Sequence, residues 1–183
     1  MKYECSYYGK KANLTLILIS SCLAGFNVRY DGSNAKNELA SWLVRHGQAI
    51  TICPEIMSGF ETPRRPSEIV GGTARDVING IASVQENNGT DVTEPYIMGA
   101  NLVLKIAKEH HIKAAFLKDS SPSCGSHYVY NGTFTGKKLV GKGITAELLS
   151  QYGVQTFPDD VLSIDTVMPF IDRSAQVLLK KYS

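Results

Sequence analysis

An α/β fold on a mostly parallel sheet, with helices on both faces in the Rossmann-like manner, is the architecture this sequence predicts. Two observations carry it. Short apolar runs of strand length alternate with longer segments of helical periodicity, and such alternation marks a parallel sheet. Three of those runs also lead into a cysteine: residues 14–19 into Cys22, residues 49–52 into Cys53, and residues 114–117 into Cys124. Ligands of open α/β sheets bind outside the carboxyl ends of the strands. Three thiols at three strand ends therefore stand where chemistry is done.

The first 13 residues are polar and read as a poorly ordered arm, with residues 14–183 as a single α/β domain. A chain of 183 residues suits one core. Strand one is the run ending near Ile19. The Gly- and Asn-containing stretch from Leu23 to Ser33 is a loop. A helix capped by Asn34 is expected to run to His46, with Leu39, Trp42, Leu43 and His46 on one face and Gly47 as its stop. Strand two covers residues 49–53. Residues 54–66 hold three prolines and read as irregular. Residues 74–85 alternate around Asn79-Gly80, a hairpin signal.

Thr93 can cap a long helix whose buried stripe is Tyr96, Ala100, Val103, Leu104 and Ala107, ending at His110-His111. Strand three, residues 113–117, opens into Ser121-Pro122-Ser123-Cys124-Gly125, a tight-turn composition. A glycine-rich loop spans residues 131–143. A short helix from 144 to 152 closes at Gly153, a strand follows at 154–157, and an amphipathic helix is expected over 166–181.

Composition excludes several classes. With 43% hydrophobic and 20% charged residues the chain is an ordinary soluble globular sequence. A net charge of +2 is too small for a dedicated nucleic-acid binder. No apolar run reaches membrane-span length, and the polar start lacks the core of a secretory signal. Cytoplasmic residence is the expectation. There thiols stay reduced, and a cysteine set reads as metal-binding or catalytic before it reads as disulfides. Cys5, in the polar arm, reads as an uninvolved thiol.

The three remaining cysteines are separated by 31 and 71 residues, unlike the close pairs of a zinc finger. Three thiolates make an incomplete tetrahedral shell, which leaves a position open on a metal, and soft thiolates select iron–sulfur clusters, zinc or copper(I). Buried structural thiols remain an alternative. So does a lone nucleophilic Cys124 activated by His127 or a helix N-terminus, which would make the chain a cysteine hydrolase. Glu55 follows Cys53 by two residues in a segment where it has no capping role, so a function in proton transfer is favoured for it. Asp31 sits in the loop after Cys22, where an Asp-Gly turn explains it equally well. Ser121 and Ser123 flank Pro122.

The residues quoted so far belong to a longer series. Cys22-Leu23-Ala24-Gly25, Arg29-Tyr30-Asp31-Gly32, Cys53-Pro54-Glu55, Thr62-Pro63-Arg64, Gly89-Thr90-Asp91-Val92-Thr93, Gly99-Ala100, Leu117-Lys118, Ser121-Pro122-Ser123-Cys124-Gly125 and Gly141-Lys142-Gly143-Ile144-Thr145 occur in that order. In this joint set, spanning about residues 15–160, the chain resembles the bacterial thiouracil desulfurase family. The resemblance implies a 4Fe-4S cluster held by Cys22, Cys53 and Cys124, with one iron open and the cluster easily lost in air. It implies non-redox replacement of the sulfur of a thiolated pyrimidine by water, with release of sulfide. Glu55 would be the acid/base, Ser121 its assistant and Asp31 a further pocket residue. Ser123 and Arg64, in the same motifs, are candidate substrate-binding groups. Free thiouracil-like bases are the expected substrates, with thiolated nucleosides or thiolated tRNA as further options. A non-catalytic metal- or small-ligand-binding module using the same thiols is the competing reading. Two departures stand out: Val28 where many relatives carry a further cysteine, and Met57-Ser58-Gly59-Phe60 in place of a more usual Gly-Gly-Leu.

Overall fold

The structure is a computed structural model and describes residues 16–181. The N-terminal arm and Cys5 lie outside the described residues. A four-stranded, all-parallel sheet forms the centre, built from β1 (Ile17–Ser20), β2 (Ala49–Ile52), β5 (Ala114–Leu117) and β8 (Gln155–Pro158) in the order β2-β1-β5-β8. The ladders align the strands end to end, with Ser20 opposite Ile52, Ile19 opposite Phe116, and Leu117 opposite Pro158.

The strands are apolar on both faces because both are covered. Ile17, Ile19, Ala114 and Phe116 face one cluster, completed by Leu43 of α1 (Glu38–Arg45), Val167 of α6 (Ile164–Val167) and Ala175 and Leu179 of α7 (Arg173–Leu179). Leu18, Ala115 and Leu117 face the other, against Val103 and Ala107 of α4 (Thr93–Glu109) and Leu149 of α5 (Ile144–Gln151). Phe116 is fully buried and stacks on Phe157 at a centroid distance of 4.9 Å. Complete burial of such a side chain stabilises by roughly 1.5–3 kcal/mol.

Several elements differ from the expectation. Helix α1 starts later, because Asn37 rather than Asn34 caps it: the Asn37 side chain accepts from Ala40 N at 3.1 Å, while Asn34 bonds Asn27. The stretch after Cys53 is not irregular throughout. Pro54, pre-set for a first helical turn, starts α2 (Pro54–Met57). Residues 74–85 are not a hairpin around Asn79-Gly80. Thr73 and Asp76 form a capping box that starts α3 (Ala74–Ile78), and Asn79 caps its end. The antiparallel hairpin instead pairs β3 (Ser67–Val70) with β4 (Ser83–Glu86).

Thr93 begins α4, but its hydroxyl accepts from Val84 N at 2.9 Å instead of capping, and Asp91 accepts from Thr93 N at 2.8 Å. In the α4 stripe Tyr96, Ala100, Val103 and Ala107 are buried, while Leu104 is only partly so. The glycine-rich stretch contains a second hairpin, β6 (Tyr128–Tyr130) with β7 (Lys138–Val140). The C-terminal segment is not one helix: Pro169 and an extended Ile171 separate α6 from α7. Among the described residues no helix is long and apolar enough to cross a membrane.

Candidate active site

In the sheet, β1 continues to β2 on one side while β5 lies on the other, so the topology switches direction between β1 and β5, where such sheets open a crevice. A cleft of about 570 Å³ lies there, and Cys22, Cys53, Cys124, Glu55, Arg64 and Ser121 line it. The strand ends are tied together at its floor: Ser20 Oγ accepts from Lys118 N at 3.0 Å, joining β1 to β5, and Ser20 is also in hydrogen-bond contact with Cys124.

Each thiol is held by the loop that follows its strand. Cys22 starts a series of turns and accepts at its carbonyl from Ala35 N at 3.0 Å, which folds the loop back over the sheet edge. Cys53 is the residue before α2, and its sulfur lies 3.6 Å from Glu55 Oε2 and 3.9 Å from Val28 O. Cys124 sits in a turn organised by a hydroxyl: Ser121 Oγ accepts from Ser123 N and Cys124 N, each at 3.1 Å, as short-range Ser motifs do.

The start of α5 closes that turn. Gly143 N donates to Gly125 O at 2.7 Å, Ile144 N to Pro122 O at 2.9 Å and Thr145 N to Ser123 O at 3.0 Å. The approach is so close that a Cβ on Gly143 would meet Ser123 O at 2.4 Å. Asp119 secures the remainder, its Oδ1 accepting from the amides of Ser126, His127 and Tyr128. Burial pushes the Asp119 carboxyl up, but these amides outweigh it and leave it below the usual carboxylate range.

Glu55 is the electrostatic hub. It is buried, with Ser121 Oγ at 3.5 Å and Arg64 Nη2 at 3.9 Å from its Oε1. Arg64 is itself fixed, donating from Nη1 to Val28 O at 3.1 Å. Burial, and next the charge of Glu55, push the Cys22 thiol up to about 11 and the Cys53 thiol up to about 12. Cys124 rises for the same reasons, and the neighbouring Cys53 and Cys22 add to it. The three thiols thus lie within one another's field. Tyr96, on α4, also lines the cleft. Its phenol is raised by burial and by Glu55, with a hydrogen bond to Ser67 opposing.

Two candidate residues stand elsewhere. Asp31 is exposed and does not line the cleft, its carboxylate engaged by the amide of Ser33 at 3.0 Å and by that residue's hydroxyl, with Arg29 Nε at 3.8 Å. It acts as the turn-former that Asp-Gly composition allows. Ser123 is fully buried behind the thiol turn, its hydroxyl 2.8 Å from Thr145 Oγ1, and does not line the cleft. The sequence places Tyr96 only in the apolar stripe of α4. Helical periodicity cannot distinguish a packing tyrosine from one whose hydroxyl reaches a cleft. The Met57–Phe60 departure does not line the cleft directly, but Phe60 packs edge-on against Tyr96 at 5.4 Å. Val28 lends its carbonyl to both Cys53 and Arg64.

Among the described residues no group of three or more His, Cys, Asp or Glu is placed to hold a single metal ion. His127 lies on a separate, exposed cavity with Lys142 and Glu147.

Comparison with known proteins agrees on one family. Residues 17–160 match the family model of 2-thiouracil desulfurases, and the chain belongs to that family. An uncharacterized Bacillus subtilis protein, YbbK, is 49% identical over 148 residues, covering 81% of this chain and 98% of its own. The solved structure of the 4Fe-4S-dependent thiouracil desulfidase TudS superposes with a TM-score of 0.71 at 38% identity, over 80% of this chain and 92% of that one.

Proposed function

We propose that this chain is a thiouracil desulfidase that replaces the sulfur of a thiolated pyrimidine with water and releases sulfide, at a 4Fe-4S cluster held by Cys22, Cys53 and Cys124. The observation that carries the reading is the meeting of three thiols and a buried carboxylate in one cleft at the sheet's switch point, in a member of this family. The donor set fits such a group. Three soft ligands are present, and a cluster, unlike a single ion, takes its ligands at separate corners, so thiols too far apart for one ion suit it. When bound, a cluster with three protein ligands supplies a soft Lewis acid for a thiocarbonyl sulfur.

The protein groups around it then divide the proton work. Glu55 takes a proton from the water whose oxygen bonds to the ring carbon; as the carbon–sulfur bond breaks, the second water proton and the one held by Glu55 pass to the departing sulfur. Thiocarbonyl plus water becomes carbonyl plus hydrogen sulfide, with no electron transferred. Arg64 pairs with Glu55 Oε1 and aims it. Ser121, already accepting two amides, has its own proton free to donate towards Glu55 or substrate. Tyr96 stays a neutral phenol in the cleft, within the field of Glu55.

The cysteine-hydrolase reading loses support from the same geometry. A nucleophilic thiol needs a lowered pKa and a nearby base. Cys124 is raised, and His127 lies in the other cavity. Anaerobic purification tests the proposal. The expected product is brown protein carrying iron and acid-labile sulfide in equal amounts, which converts 2-thiouracil to uracil and sulfide one for one. Colourless protein retaining zinc, or metal-free turnover stopped by a thiol alkylator, would overturn it.

A further inference from the structure

We propose that residues 131–137, the turn of the β6–β7 hairpin, form the outer wall of the substrate cleft. Phe134 is the face on which the pyrimidine ring lies, and Glu68 is the positioning residue that latches the wall. The inference rests on the reading of this cleft as a thiolated-pyrimidine site.

Tyr130, Phe134, Gly136 and Lys138 line the same cleft as the three thiols, although they belong to a separate two-stranded hairpin and its turn. The turn reaches that position through a carboxylate on β3. Glu68 is buried, and its Oε2 accepts from Gly132 N at 2.8 Å and from Phe134 N at 3.1 Å. Paired amide donors to a charged oxygen are among the stronger hydrogen bonds available to a loop. The seat is close-fitting: Gly132 has φ +81°, and a Cβ there would meet Ile69 O at 2.5 Å.

Phe134 has φ 55°, a left-handed conformation that a bulky non-glycine residue rarely adopts. Such conformations persist where the surroundings over-determine them, often at ligand clamps. Here Glu68 takes the strained residue's own amide and the amide two residues before it. These bonds hold at the cleft an aromatic residue that is 37% exposed, which leaves room for a planar heterocycle against its ring. Stacking of a base on an aromatic side chain is insensitive to which base it is. The wall would thus set affinity for the ring, while the thiol side acts on its sulfur.

The test uses iron-loaded protein and 2-thiouracil. Phe134→Ala, a change at a partly exposed turn, should raise KM about tenfold with kcat within about twofold, the pattern of lost uniform binding. Glu68→Ala should raise KM in the same way, and Glu68→Gln, which keeps an acceptor oxygen, should recover most of it. Hydrogen exchange gives a readout independent of turnover: the amides of residues 132–134 should exchange faster in Glu68→Ala, with the central sheet unchanged. Wild-type KM in both alanine variants, or a fall in kcat at constant KM, would overturn the proposal. A wild-type protein that makes no sulfide from thiouracil would instead refute the functional reading, and the exchange measurement would still decide whether Glu68 latches the turn.

Discussion

The thiol edge of the sheet and the β6–β7 hairpin face each other across one cleft and are built in opposite ways. At the thiol edge every loop is fastened repeatedly: Ser20 to Lys118, three α5 amides to the turn at Cys124, and three further amides to Asp119. The hairpin has a ladder of three residue pairs, its β7 residues are all exposed, and one buried carboxylate grips its turn. Groups that must hold a cofactor in register need many constraints. A wall that needs only to present a ring is held by fewer: Asp119 takes Tyr128 N at its base, and Glu68 takes two amides of its turn.

Four experiments break or sharpen this contrast, from the largest effect down. Alanine at Cys22, Cys53 or Cys124 should abolish both iron retention and sulfide release, since two thiolates hold a cubane poorly. Iron content equal to wild type in these variants would remove the thiol edge from the site. Glu55→Gln should keep its iron and turn over more slowly by about 10²–10⁴-fold, the range of a general acid–base group. If iron is lost as well, Glu55 supports the metal site instead.

The third experiment is pH-dependent. Below their raised pKa values the thiols of iron-free protein are neutral, and the thiolate fraction grows about tenfold per pH unit. Alkylation of Cys22 and Cys53 should therefore climb about tenfold per pH unit between about pH 7 and about pH 10. Because the charge of Glu55 is among the causes of the raised values, Glu55→Gln should speed the reaction at any fixed pH in that window. A flat profile would contradict the burial of these thiols.

The smallest effect pairs two glycines. Gly143→Ala drives a methyl into Ser123 O and should cost about 1–3 kcal/mol of stability, seen as a lower Tm, with reduced iron retention. Gly132→Ala meets Ile69 O nearly as closely and should lower Tm as well, yet leave iron content intact and raise KM. Identical phenotypes would erase the distinction between the two regions.

What the sequence made legible follows this division. The parallel sheet and the three thiols could be read because β1, β2 and β5 are continuous apolar runs and each leads straight into its cysteine. Glu55 could be read from its place after Cys53. The hairpin could not. Its strands are three residues long and one is fully exposed, so no alternation exists to detect, and the Glu68 latch joins residues 64 and 66 positions apart. Asn79-Gly80 misled because that dipeptide serves a helix end as well as a turn. For Asp31 and Ser123, composition marks a turn-forming side chain without saying whether it faces a cleft or, as Ser123 does with Thr145, staples one loop to another.

The pairing of β5 beside β1 has a consequence for how the molecule is born. The two strands are neighbours in space, but nearly a hundred residues lie between them in the chain. Pairings of such sequence separation form late. During synthesis from the N-terminus, β1 and β2 can pair as soon as both have emerged, bringing Cys22 and Cys53 together, while the strand leading to Cys124 is still unmade. The third thiol therefore arrives only when β5 slots in and α5 locks the turn behind it. A nascent chain therefore cannot bring all three sulfurs to one cleft before most of the fold exists, so the order of strand pairing sets when this edge of the sheet is complete.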